Sequence, residues 1–158
     1  MPCLFGSHNN TQVFLDVSIL DVSSVSIVGN IFVNPPASTP ITFRALVDSG
    51  ATKTMISADV ASKLNMVSIG RVAAQGVGST ITYHNGYLFH VAFLIPIVAP
   101  GQIIAPGTQI QATLHVFPTP IYGGEISSGR GFDVLLGMDV ISCGSLKIEG
   151  SGTFSFSF

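Results

Sequence analysis

Charge is what this chain has least of. Only 9% of its 158 residues are charged, against 47% hydrophobic, and there is no tryptophan. Six Lys and Arg against eight Asp and Glu leave a net charge of −2 with no basic block, which argues against a nucleic-acid partner. There are two cysteines, Cys3 and Cys143, too few for a disulfide-stapled scaffold. They are read as two thiols, with one long-range disulfide as the alternative. His8, His84, His90 and His115 stand at no metal-ligand spacing with either cysteine, so neither a metal nor another cofactor is expected. The opening MPCLFGSHNN lacks the basic and apolar regions of a secretion signal. The most apolar stretch, residues 91–105, is broken by Pro96, Pro100 and Gly101 and turns polar at Gln102, which rules against a membrane span. A soluble, cytoplasmic protein with no membrane partner is therefore expected.

What is abundant is glycine, 17 residues, together with nine prolines, the mark of short strands punctuated by turns. The length suits one domain over residues 1–158. Period-two alternation dominates. In residues 12–20, Val13, Leu15, Val17 and Ile19 fall on one face and Asp16 and Ser18 on the other. Asp16 and Asp21 read as solvent-facing. Residues 25–33 give a second strand, interrupted by Gly29 and Asn30, and 34–40 a loop. Residues 41–47 give a third strand that runs into Asp48-Ser49-Gly50. A helix fits 58–64, capped by Ser57, with Asp59 in its first turn. Further strands fit 79–84, 87–97 and 109–117, then a long loop over 118–131 and a short apolar strand over 132–136. A helical turn begins at Asp139, whose carboxylate is expected to cap it. Strands 145–148 and 153–158 form a closing hairpin. The last strand puts Phe154, Phe156 and Phe158 on one face, which suggests an edge or interface element. The sum is an all-β chain with one or two short helices.

Chemistry concentrates between Ala45 and Ser57, in the run Ala-Leu-Val-Asp48-Ser49-Gly50-Ala51-Thr52-Lys53-Thr54-Met-Ile-Ser. An Asp-Ser-Gly triplet alone is weak, and its plain reading is a turn in which Asp48 bonds its own backbone. The context strengthens it: an apolar strand delivers the carboxylate, small residues follow, and Thr54 adds a hydroxyl. An aspartic protease needs two carboxylates sharing one proton. The ionised one deprotonates water while the protonated one polarises the scissile carbonyl. Like charges at that range cannot both ionise cheaply, so one proton is kept. Gly50 and Ala51 would let two such loops meet and a substrate backbone approach, and Ser49 could brace the loop.

The segment resembles the catalytic loop of the retropepsin family, which includes retroviral proteases, the protease domains of cellular DNA-damage-inducible proteins and single-domain bacterial members. Two further runs agree. Val134-Leu135-Leu136-Gly137, with Phe132 and Asp133 before it and Met138-Asp139-Val140-Ile141 after, is similar to the family's late apolar-apolar-Gly motif. Gln75-Gly76-Val77-Gly78-Ser79 resembles the flap. The resemblance spans about residues 43–148 and implies a closed-barrel acid protease fold, with Asp48 as catalytic residue and Ser49, Gly50, Ala51 and Thr54 as its loop. It further implies that Gly76, Val77, Gly78, Leu135, Leu136 and Gly137 bind substrate, although Val134, Leu135 and Leu136 are core residues first. Only one such loop is present, so the second aspartate must come from another copy across a two-fold axis. The expected activity is endopeptidase cleavage between hydrophobic residues by a homodimer. Two departures stand out. Retroviral members often carry acidic residues after Gly-Ala and an arginine after the late Gly, where this chain has Thr52, Lys53 and Met138. The stretch between flap and late motif is also longer.

Other signals are weaker. Gly76-Val77-Gly78 is followed by neither a third Gly nor Lys-Ser/Thr, so it makes no phosphate loop. No Gly-x-Ser-x-Gly elbow marks a serine hydrolase. The alternatives to the protease are a catalytically silent dimerisation or peptide-binding module of the same fold, and an unrelated β-sandwich binding domain.

Overall fold

Alternating apolar residues become strands that share one core, and the way those strands pair decides where Asp48 sits. The computed structural model describes residues 2–9, 11–24, 27–28, 31–32, 40–76, 78–97 and 112–158. In chain order the strands are β1 (Cys3–Ser7), β2 (Val13–Asp21), β3 (Ile27–Val28), β4 (Ile31–Phe32), β5 (Thr42–Val47) and β6 (Met55–Ser57). Helix α1 (Ala58–Lys63) is followed by β7 (Gly70–Ala74), β8 (Thr82–Pro96), β9 (Ala112–Val116), β10 (Ile121–Ile126) and β11 (Val134–Leu136). Helix α2 (Met138–Ile141) precedes β12 (Ser145–Ile148) and β13 (Thr153–Ser157).

Six strands pair in the order β8-β10-β6-β11-β5-β2, and β2 returns to β8, so the pairings form a ring. It is a ring of pairings and not the full barrel expected, because some seams are very short: β11 meets β6 only at Val134↔Ile56 and Leu135↔Met55. The fifteen-residue β8 serves four neighbours in turn. Its first residues pair with β7, its middle with β10 and β2, and its end with β9. Phe43, Ala45, Ile56, Phe89, Val91 and Leu136 fill the interior, each at most 3% exposed. Burying each of the larger ones stabilises the fold by about 1.5–3 kcal/mol.

A second sheet, β1-β13-β12, packs onto the same core. Here the structure corrects the sequence reading. Strand β13 is the middle strand, and Phe154 and Phe156 are 3% and 2% exposed. The ring of Phe158 lies 5.1 Å from Phe93 and 5.4 Å from Phe117. Phe154 and Phe156 thus belong to the core of the chain rather than to an interface stripe, with Phe158 half-buried beside them. Residues 118–131, read as one loop, contain β10; β7 and β1 were not foreseen; and the strands expected at 79–84 and 87–97 merge into β8. Strands β3 and β4 pair as a small hairpin within the interrupted strand expected over 25–33, while 34–39 lies outside the described residues. Helix α1 forms as expected, with Ser57 accepting from the Val60 amide at 3.3 Å. Both cysteines are free thiols. Among the described residues, no helix is long and apolar enough to cross a membrane, and no cluster of His, Cys, Asp or Glu could hold a metal ion.

Candidate active site

Strand β5 ends at Val47 and β6 begins at Met55. Strand β11 lies between them, parallel to β5 and antiparallel to β6. Residues 48–54 must therefore loop around the end of β11, and this is why the sequence motifs 48–54 and 134–139 meet. The Asp48 amide donates to the Leu136 carbonyl at 3.0 Å, and the Met138 amide donates to the Ala51 carbonyl at 2.8 Å. Asp48 is half-buried and its Oδ1 accepts from the Gly50 amide at 2.8 Å, the local turn that the plain reading of the triplet foresaw. The Ala51 amide closes the turn on the Asp48 carbonyl at 3.1 Å. A Cβ at Gly50 would sit 3.1 Å from Asp48 Oδ1, so a glycine keeps this carboxylate uncrowded.

Thr54 is fully buried and makes three contacts with its side chain and amide. Its hydroxyl donates to Asp139 Oδ1 at 2.6 Å and accepts from the Gly137 amide at 3.0 Å, while its own amide donates to Asp139 at 2.9–3.0 Å. Gly137 fits because a Cβ there would lie 2.6–2.9 Å from the backbone of Lys53 and Thr54. Asp139, expected to cap α2, does not cap it. The N-cap is Gly137, and the Asp139 carboxylate instead reaches across to hold the loop of residues 48–54. No single run of sequence shows this, since the partners are 85 residues apart. Ser49 is exposed, and its hydroxyl makes no hydrogen bond among the described residues.

The expected flap residues are on a separate element. Strands β7 and β8 form a hairpin whose end carries Gly76 and Gly78, both exposed; Val77 lies outside the described residues. The Ser79 amide and hydroxyl both donate to the Gly76 carbonyl, at 3.1 and 2.9 Å, and Gly78 has φ of 73°, which favours glycine. At the other end of the hairpin, Gly70 faces Gly86 across the pair, and Gly86 faces Gly124 on its far side. The Tyr122 ring fills the space these glycines leave: a Cβ at Gly70 or Gly86 would be 2.6 or 2.5 Å from its hydroxyl oxygen. Leu136 and Gly137 are buried and Leu135 is half-buried, so at least Leu136 serves the core.

A family model described as aspartyl protease matches residues 38–140, about two thirds of the chain. The chain belongs to the aspartyl protease family. Among solved structures, a retropepsin-like aspartic protease from Rickettsia conorii matches with a TM-score of 0.54 and 12% identity, over 99% of this chain and 90% of that one. At that identity the likeness speaks for the fold, which is retropepsin-like. No match is found among curated protein sequences. Within this family setting, the acid–arginine pairing often seen in retroviral members has no counterpart at Thr52, Lys53 and Met138. The Thr54–Asp139 contacts tie the same two segments together.

Proposed function

We propose that this aspartyl protease is an endopeptidase acting as a two-fold homodimer, with Asp48 of each subunit forming the catalytic pair. One Asp48 would be ionised and draw a proton from the attacking water, while its mate, protonated, would donate a hydrogen bond to the scissile carbonyl oxygen. The observation that carries this reading is the seat of Asp48: the end of a core strand, its amide tied to Leu136, its carboxylate accepting, among the described residues, only the Gly50 amide. Ser49, Gly50 and Ala51, which follow Asp48 in the loop, are small enough for two copies to face each other there. The hairpin ending in Gly76 and Gly78 would close over an extended peptide, which would bind as an added strand. The few charges in the chain favour apolar pockets and cleavage between hydrophobic residues. The pair should titrate jointly and give a bell-shaped rate profile with its maximum in acid.

The test is hydrolysis of unfolded casein at mildly acid pH by the full chain and by Asp48→Asn. Asparagine keeps an oxygen for the Gly50 amide, so the loop should survive while the base is lost. Activity should fall at least about a hundredfold. An Asp48→Asn protein that still cleaves at the wild-type rate would end this reading.

A further inference from the structure

Strand β8 leaves the ring of pairings at a single residue. Its backbone pairs with β10 from Phe89↔Ile121 down to Gly86↔Gly124, where that ladder ends. Among the described residues, 82–85 then pair with β7 alone, in the hairpin that carries Gly76 and Gly78 at its end. From the same point β10 takes another neighbour. Gly124, Glu125 and Ile126 pair with Met55, Ile56 and Ser57 of β6, the strand that follows the loop of residues 48–54. Glu125 is therefore the first β10 residue past a fork, with the hairpin on one branch and the strand leading from Asp48 on the other.

The Glu125 side chain bridges this fork. The Tyr87 hydroxyl donates to its Oε2 at 2.7 Å, and the Asn85 side-chain amide donates to the same oxygen at 3.3 Å. Asn85 belongs to the hairpin, opposite Arg71, while Tyr87 is a core residue only 5% exposed. Burial, and after it the Glu125 carboxylate, raise the Tyr87 pKa above its ordinary value, which keeps the hydroxyl a donor. Side chains alternate along a strand, so Tyr122 lies on the opposite face of β10 from Glu125. Its hydroxyl reaches the Arg71 carbonyl of β7 at a long 3.4 Å. Between the two stand Gly123 and Gly124, which have no side chains to offer. Past the end of the ladder, the carboxylate of Glu125 thus makes the short contact that ties β8 to β10.

We propose that Glu125 is a positioning residue: through Asn85 and Tyr87 its carboxylate fixes the set of the β7–β8 hairpin relative to β6, and so to Asp48. The inference rests on the protease reading above, in which that hairpin closes over the peptide. The test compares the full-length wild type with Glu125→Gln, which keeps an acceptor oxygen, and with the double variant Glu125→Leu, Tyr87→Phe. The double variant leaves no buried hydroxyl without an acceptor, so its melting temperature should stay near that of the wild type. Its KM for casein should nonetheless rise about tenfold. Loss of folded protein cannot produce that rise, since it lowers the apparent kcat alone. Spin labels on the exposed Ser62 of α1 and Thr80 of the hairpin, with Cys3 and Cys143 replaced by serine and the labelled chain diluted with unlabelled protein, read the hairpin directly. The distance distribution should broaden in the double variant and stay narrow in Glu125→Gln, whose KM should also stay near that of the wild type. A stable double variant with the wild-type KM, or with the wild-type distance distribution, would overturn the proposal. A wild type that cleaves nothing would instead end the protease reading, and the label distances would still decide whether Glu125 sets the hairpin.

Discussion

The Thr54 hydroxyl links the Gly137 amide to the Asp139 carboxylate across the site. Replacing this residue by valine keeps the shape but leaves the buried Gly137 amide without its acceptor and Asp139 Oδ1 without its hydroxyl donor. The expected loss is roughly 2–4 kcal/mol of unfolding free energy, read from urea curves, against about 1 kcal/mol for Thr54→Ser. Combining Thr54→Val with Asp139→Ala should cost less than the two separately, because the hydroxyl–carboxylate bond that each change breaks can be lost only once. Strict additivity would show that the two side chains act independently. His115 supplies a second prediction at this scale. Burial lowers its folded pKa below 6.5, so the unfolded chain takes the proton more readily. No penalty exists well above that value, and one grows as pH falls through it. Melting temperatures of His115→Gln and wild type should therefore diverge in favour of the variant between about pH 7 and pH 5; a constant gap would contradict this. At residue scale the turn at Asp48 was legible in the sequence, because the Asp-Ser-Gly run that makes it is local. The sequence concealed Asp139, whose work is done on a residue far away in the chain.

Elements were legible where one face is apolar and the other polar, as in β2, where Val13, Leu15 and Val17 are buried and Asp16 is exposed. Strand β10 was not, because Gly123-Gly124 reads as a turn. The glycines are there for a spatial reason: a Cβ at Gly123 would strike the Thr54 carbonyl oxygen and come within 2.7 Å of the Phe89 ring. Strand β7 was missed for a related cause, since Gly70, Ala73 and Ala74 supply little hydrophobic contrast. The base of the β7–β8 hairpin offers a test of this account. Gly86→Ala would place its methyl 2.5 Å from the Tyr122 hydroxyl oxygen and 2.8 Å from Cζ. Overpacking of that kind costs about 1–3 kcal/mol. In a Tyr122→Ala background the obstacle is gone, so Gly86→Ala should then cost little or nothing. An equal loss in both backgrounds, measured by thermal unfolding, would show that Tyr122 is not what demands the glycine.

At the scale of the whole molecule, the resemblance of its motifs pointed to an all-β, closed-barrel acid protease fold; the strands close as a ring of pairings with very short seams, and the retropepsin-like neighbour matches almost the full chain. Composition misled on one point. The phenylalanines of β13 looked like a surface for a partner, yet alternation cannot tell an interface from a core, and Phe154 and Phe156 belong to the core. Deleting residues 153–158 would therefore unfold the chain itself and say nothing about assembly. A cleaner test of the homodimer uses subunit mixing. One Asp48 cannot be both the ionised and the protonated carboxyl, and no second Asp-Ser/Thr-Gly loop exists in the chain. If each active unit needs two Asp48 loops, wild type mixed with an equal amount of Asp48→Asn should distribute into homodimers and heterodimers. Half of the wild-type subunits would then sit beside an inactive mate, and total activity should settle near roughly half that of the wild type alone. On dilution, activity should also fall faster than concentration, as dimers dissociate by mass action. A monomeric enzyme would keep its full activity in the mixture and lose it only in proportion on dilution. That pair of results would remove the shared active site while leaving the family and the fold untouched.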